Sequence, residues 1–133
     1  MARLLKQIKQ FRDLDLSFRI NPFTKDLYLK TDEEAIKTAI KNLIKTKNFE
    51  RPFHPEIGTQ IHSLLFENNS AAVNIAMQRT IVDAIETYEP RVRIVNVSVK
   101  ETPDMNDYEV NIVFTFKNVD KPITITTLLS RVR

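Results

Sequence analysis

Between Tyr88 and Val92 the apolar residues stop recurring at the spacing of a helix and begin recurring at every second position, and they do not change back. A chain patterned this way builds helices first and strands afterwards, which favours an α+β fold over alternating units around a parallel sheet. On the helical side, Val73, Met77, Ile81, Ile85 and Tyr88 define one face of a helix over 70–88, capped by Asn69 or Ser70 and closed by Pro90. A second helix over 32–46 places Ile36, Ile40, Leu43 and Ile44 on one face, with Thr31 and Glu34 in the spacing of a capping box. A shorter helix carries Ile57, Ile61, Leu64 and Leu65, with Pro55 suited to its first position. On the strand side, Val95, Val97 and Val99 share a face, Tyr108, Val110, Ile112, Phe114 and Phe116 a second, and Ile123, Ile125, Thr127 and Leu129 a third. Pro103-Asp104 and Asp120-Lys121-Pro122 mark the turns, so the strands form a three-stranded antiparallel meander covered on one face by helices.

The first 30 residues are of a different kind. Leu4, Leu5, Ile8 and Phe11 alternate with Arg3, Lys6, Lys9 and Arg12 and no acid, giving a short basic amphipathic helix over 1–12. Residues 14–29 read as a small hairpin or an extended arm around Asn21-Pro22. The expected organisation is therefore an N-terminal helix and arm over 1–30, followed by one α+β domain over 31–133.

Composition excludes most chemistry. A single glycine, Gly58, cannot cradle phosphates, and the absence of cysteine removes thiolate catalysis, disulfides and cysteine metal sites. His54 and His62 stand eight apart without a metal-ligand motif, and Ser63 beside His62 points to a different side of its helix, so neither a metal site nor a triad is expected. Glu50, Glu56, Glu67 and Glu89 offer carboxylates for glycoside hydrolysis, with Glu67 or Glu89 as the acid of a small muramidase, but no pattern places one in an apolar pocket. No cofactor is implied. With a net charge of +3 and no run approaching the ~20 apolar residues of a membrane span, nucleic-acid and membrane partners are not expected, and the chain reads as soluble and unprocessed. A basic nucleic-acid or membrane-surface module built on residues 1–12 is the remaining alternative.

Three local features stand out. Arg51-Pro52-Phe53-His54-Pro55 stiffens a loop and offers Phe53 as an anchor, as a helix connector or as an interface. Glu89, placed at a helix C-terminus that disfavours anions, calls for a cation from Arg91 or Arg93, and both arginines fall on the side of Val95 and Val97 if the alternation already holds there. That pair either clamps the helix to the sheet or docks a neighbour; the two are compatible. The last strand, Ile123-Thr124-Ile125-Thr126-Thr127-Leu128-Leu129-Ser130, lacks charge, proline and glycine at a sheet edge, so either another chain completes the sheet or the 14–29 arm covers it. Proline at Thr126 or a charge at Ile125 is expected to leave a folded chain that no longer pairs.

The order Arg51-Pro52-Phe53-x-Pro55-x-x-Gly58, Leu65-Phe66-Glu67 and Tyr88-Glu89-Pro90-Arg91 resembles the small baseplate wedge protein family of contractile-tailed bacteriophages. That family includes the sheath initiator of type VI secretion baseplates, and Glu-Pro-Arg is its signature. The resemblance covers about residues 30–130. It implies a non-enzymatic virion component of the tail baseplate, assembled in the host cytoplasm. Glu89, Pro90 and Arg91 would dock the helical core bundle of the wedge, supported by Arg51, Pro52 and Phe53. Residues 123–130 (Ile123, Thr124, Ile125, Thr126, Thr127, Leu128 and Leu129 above all) would template the first ring of tail sheath by strand addition. The family is often labelled lysozyme-like, a label for which no residue pair here gives a basis.

Overall fold

A computed structural model describes residues 12–103, 107–117 and 119–131. They form β1 (Arg12–Leu14), β2 (Leu29–Thr31), α1 (Asp32–Lys45), α2 (Ile61–Leu64), α3 (Ala71–Tyr88), β3 (Val92–Thr102), β4 (Asp107–Phe116) and β5 (Val119–Leu129). The chain divides into two compact units, Met1–Thr38 and Ala39–Arg133, with the division inside α1.

In the first unit, β1 and β2 pair antiparallel with Leu14 opposite Leu29, and an isolated bridge joins Ile20 to Leu27. The segment is thus the hairpin that the sequence left open against an extended arm. The expected helix over 1–12 lies outside the described residues except for Arg12, which is in a strand. The expected capping box cannot be placed either, because the Thr31 side chain is also outside them. Three ladder pairs are little to hold a ribbon together, and Asp15 supplements them. Its carboxylate accepts from the Ser17 backbone N–H at 3.0 Å and lies 3.5 Å from Arg19 and 3.8 Å from Lys30. Hydrogen bonds from the Ser17 backbone and side chain, then Lys30 and Arg19, hold this carboxyl below its ordinary value against the opposing effect of burial. A lowered folded pKa stabilises above the unfolded value of 3.8 and ceases to do so as pH falls through the folded one. Amide-exchange protection of Asp15 and Tyr28, whose N–H groups bond across the ribbon, should therefore be full at neutral pH, decline below pH 3.8, and be lost at neutral pH in Asp15→Asn.

In the second unit the sheet order is β3-β4-β5, all antiparallel, as the meander expectation has it. The central strand is held hardest: Tyr108, Val110, Ile112 and Phe114 are wholly buried, and each of the last three contributes roughly 1.5–3 kcal/mol by leaving water. Helix α3 starts where Ser70 accepts the Val73 N–H at 3.2 Å, a cap worth about 1 kcal/mol, and it buries Val73, Met77, Ile81, Ala84 and Ile85. It packs on β3, the strand farthest from β5.

Three expectations are corrected here. The short helix begins at Ile61, not at Pro55. Gly58, at φ 140°, is incompatible with a helix, and the bridge between Lys47 and Thr59 closes residues 48–58 into a loop of turns and bends. Val95 does not share a face with Val97 and Val99. A bulge between Ile94 and Asn96 turns it outward to 59% exposure while Val92, Val97 and Val99 face the core. Arg93 consequently lies on the outside and does not lead the buried face. Finally, β5 begins at Val119, so Asp120-Lys121-Pro122 is not the turn. The register shift beside Phe114 and Phe116 absorbs these residues as an irregularity on an edge strand, where proline is tolerated.

Candidate docking surfaces

The turn after α3 is built around an ion pair. Glu89 caps the helix with φ −125° and ψ 73°, outside helical space, and its N–H bonds the Ile85 carbonyl at 2.8 Å. The residue is 6% exposed. Arg91 presents its guanidinium to both carboxylate oxygens, Nε to Oε1 and Nη2 to Oε2, the latter at 2.6 Å. Of the two arginines, Arg91 is thus the partner, within the same chain, and Pro90 between the pair stays exposed. The Lys117 N–H donates to the Arg91 carbonyl, tying this turn to the far end of β4.

The loop bearing Arg51, Pro52 and Phe53 lies against the same helix end, because the Tyr88 hydroxyl donates to the Glu56 carbonyl at 2.6 Å. Its base is closed by Thr59, whose N–H reaches Thr46 O and whose buried hydroxyl reaches Ile44 O at 3.0 Å. Phe49 and Phe53 both adopt positive φ, at 67° and 59°, and stand 81% and 96% exposed. Bulky residues hold that backbone region only where surrounding bonds impose it. Here Phe49 N–H donates to Pro55 O at 2.9 Å. The outcome is a cross-braced loop that presents two exposed phenyl rings and is tied to the end of α3 through Tyr88. Phe49 escaped the sequence reading, because nothing in the sequence marks the sign of its φ, and Tyr88, which the sequence sets in the helical stripe and in the Tyr88-Glu89-Pro90-Arg91 motif, gave no sign of its bond to the loop. Gly58 fixes how closely the loop packs. A Cβ at that position would lie 2.7 Å from the Lys47 carbonyl carbon and oxygen. Gly58→Ala should destabilise the fold by about 2 kcal/mol, read from urea unfolding.

The other surface is β5. Ile123, Ile125, Thr127 and Leu129 face the core, and Thr124, Thr126 and Leu128 face outward. The strand pairs with β4 on one side, and among the described residues no strand pairs with it on the other. The hairpin of residues 14–29 pairs within its own two-stranded sheet. Beyond the run, Arg131 folds back over the Tyr108 ring at 5.5 Å and donates to Glu67 O at 3.0 Å. The opposite edge, β3, is guarded by its bulge and by Arg93, Lys100 and Glu101. One expectation fails on this geometry: Ile125 is 2% exposed, so a charge there would disrupt the core and not merely the edge.

Two of the carboxylates considered for catalysis are already engaged within the chain. Both oxygens of Glu89 are taken by Arg91. Hydrogen bonds from its own backbone and from His54 hold the exposed Glu56 below the ordinary value, the wrong direction for a general acid. His62 bonds the Lys45 carbonyl, and among the described residues no three metal-ligating side chains come together.

The family model described as baseplate wedge protein gp25 matches residues 30–120. Baseplate wedge protein gp25 of Enterobacteria phage T4 is 30% identical over 114 residues, covering 86% of this chain and 84% of the phage protein. A crystal structure of a putative tail lysozyme from Geobacter sulfurreducens superposes with a TM-score of 0.71 at 18% identity, covering 80% of this chain and 97% of that one. A chain of the anti-feeding prophage baseplate superposes with a TM-score of 0.64 at 17% identity, covering 93% and 88%. At these identities the two structures speak for the fold alone.

Proposed function

The chain belongs to the baseplate wedge protein gp25 family and is a baseplate component of a contractile tail, and from that premise we propose that it starts the tail sheath by offering β5 to a strand of the first sheath ring. The observation that carries this reading is the contrast between the two sheet edges: β3 carries its bulge and charges along its length, whereas the irregularity and charges of β5 are confined to its first residues, 119–122, and seven consecutive uncharged residues, Ile123–Leu129, follow. Backbone pairing supplies the affinity of strand addition, and the alternating side chains fix its register.

The role is structural, without a catalytic residue. The rigid second unit sets the angle at which β5 is presented. Docking to the helical core bundle of the wedge uses the exposed Pro90 turn together with Arg51, Pro52 and Phe53, and Phe49 belongs to the same surface. Glu89 and Arg91 act by holding that turn in shape, which is how an intramolecular clamp also serves an interface. Large exposed aromatic side chains on a preorganised loop are what an interface anchor requires.

This division of labour is tested by changing Phe49 and Phe53 together to serine. Their exposure predicts an unchanged melting temperature and a loss of at least about tenfold in incorporation into wedges, since two aromatic anchors commonly exceed 1.4 kcal/mol. Unchanged incorporation would remove the loop from the interface.

A further inference from the structure

Strand addition by a sheath subunit leaves open what β5 does before that subunit arrives. An uncharged strand edge of seven residues attracts other strands, and between Ile123 and Leu129 there is no lysine, proline or bulge and, among the described residues, no second strand paired with it; Lys121, Pro122 and the irregularity of β5 lie before this run. We propose that two copies of the free protein close each other's open edges, β5 pairing antiparallel with β5 about a twofold axis that passes through Thr126. This rests on the reading of β5 as an open edge and names what occupies it in the unassembled state.

The register follows from two constraints. Inward and outward side chains must each stay on their own face, so a residue can lie opposite only residues of its own parity. Centring the axis on Thr126 is the choice that pairs the whole uncharged run with itself. Ile123 then meets Leu129 of the partner subunit and Ile125 meets Thr127 of the partner subunit on the covered face. Outside, Thr124 meets Leu128 of the partner subunit, and Thr126 meets its own equivalent. Leu128, 54% exposed, is the outward apolar side chain that gains cover. The first charges beyond the run are Lys121 and Arg131, and the Arg131 guanidinium is turned back onto Tyr108 and Glu67.

The rest of the sheet decides why the association closes. Pairing β5 with β3 of another copy would propagate head to tail into a filament. The bulge at Val95 and the charges of Arg93, Lys100 and Glu101 oppose that contact. Self-pairing of β5 consumes both open edges at once and leaves a six-stranded sheet bounded by two guarded β3 edges. Helix α3 packs on β3 and so stands away from the new seam. Seven residues a side make a small interface of the weak, reversible class, which a sheath strand can displace.

Sedimentation of the full chain across a concentration series tests this. The wild type should rise from one chain to two and no higher. Thr126→Lys and Thr126→Glu should each stay a single chain at the same concentrations, because each sets like charges opposite one another at the axis. An equimolar mixture of the two should recover the two-chain species. The exposure of Thr126 predicts native circular dichroism for both variants, which is the fold control. A wild type that stays a single chain throughout, association beyond two, self-association of either variant at wild-type strength, or a mixture that fails to pair would each overturn the proposal. None of these outcomes touches sheath templating, which is read separately on assembled tails.

Discussion

Arg91→Ala should lower the unfolding free energy by roughly 3–5 kcal/mol, nearer the lower figure, measured by urea denaturation at neutral pH. Removing the guanidinium leaves the Glu89 carboxylate, whose side chain is only 8% exposed, without its bidentate partner. Arg91 itself is 28% exposed, so water can reach the vacated site and moderate the cost. Arg91→Lys should recover only part of the loss, because an ammonium group cannot reproduce two parallel N–H donors. Glu89→Gln combined with Arg91→Ala should be less damaging than Arg91→Ala alone, since a neutral amide is easier to bury than an unpaired charge. A change below about 1 kcal/mol in Arg91→Ala would mean that the pair behaves as an ordinary surface salt bridge and does not shape the turn. Wedge incorporation of Arg91→Ala, assayed at a temperature where it is folded, should fall as well, because Pro90 would lose its fixed presentation.

The second large effect concerns β5, and its signature is periodic. In an antiparallel edge strand, alternate residues turn their backbone groups toward the neighbouring strand and the others turn them outward. A proline scan over residues 124–128 should divide the same way. At alternate positions proline deletes an outward donor, leaves the melting temperature within a few degrees of wild type, and abolishes sheath growth on assembled baseplates. At the intervening positions it deletes a ladder bond to β4 and lowers stability by about 1–3 kcal/mol, because a carbonyl of β4 is left without its donor. Sheath growth that survives in every folded member of the scan would contradict strand addition at this edge.

Much of this architecture is written locally. The spacing of Val73, Met77, Ile81 and Ile85, the cap at Ser70 and the stop at Pro90 specify α3 to within a residue or two. The alternation of Tyr108, Val110, Ile112 and Phe114 specifies the central strand and its buried face. The lack of charge in 123–129 marks a sheet edge that calls for cover from another chain or from residues 14–29, and the alternation already sets Ile125 on the apolar face, where its burial makes a charge disruptive. The features that escaped depend on backbone choices settled by distant parts of the chain. The bulge at Val95 reverses which residues at the start of β3 face inward, and only pairing with β4 imposes it. The positive φ values of Phe49 and Phe53 are set by the closure of the loop on Thr59 and Pro55. Pro55 and Ile57 show a fair beginning for a helix, and Gly58 cancels it by accepting a close approach of the Lys47 backbone that no other residue would allow.

The most direct test of the account is a map of the assembled baseplate with this chain in place, at a resolution where backbone can be traced beside β5. The account predicts a strand of a different chain running alongside Ile123–Leu129 at the ~4.8 Å spacing of a hydrogen-bonded sheet neighbour. Solvent along that edge in the mature particle, or a strand contributed there by the protein's own N-terminal residues, would contradict it.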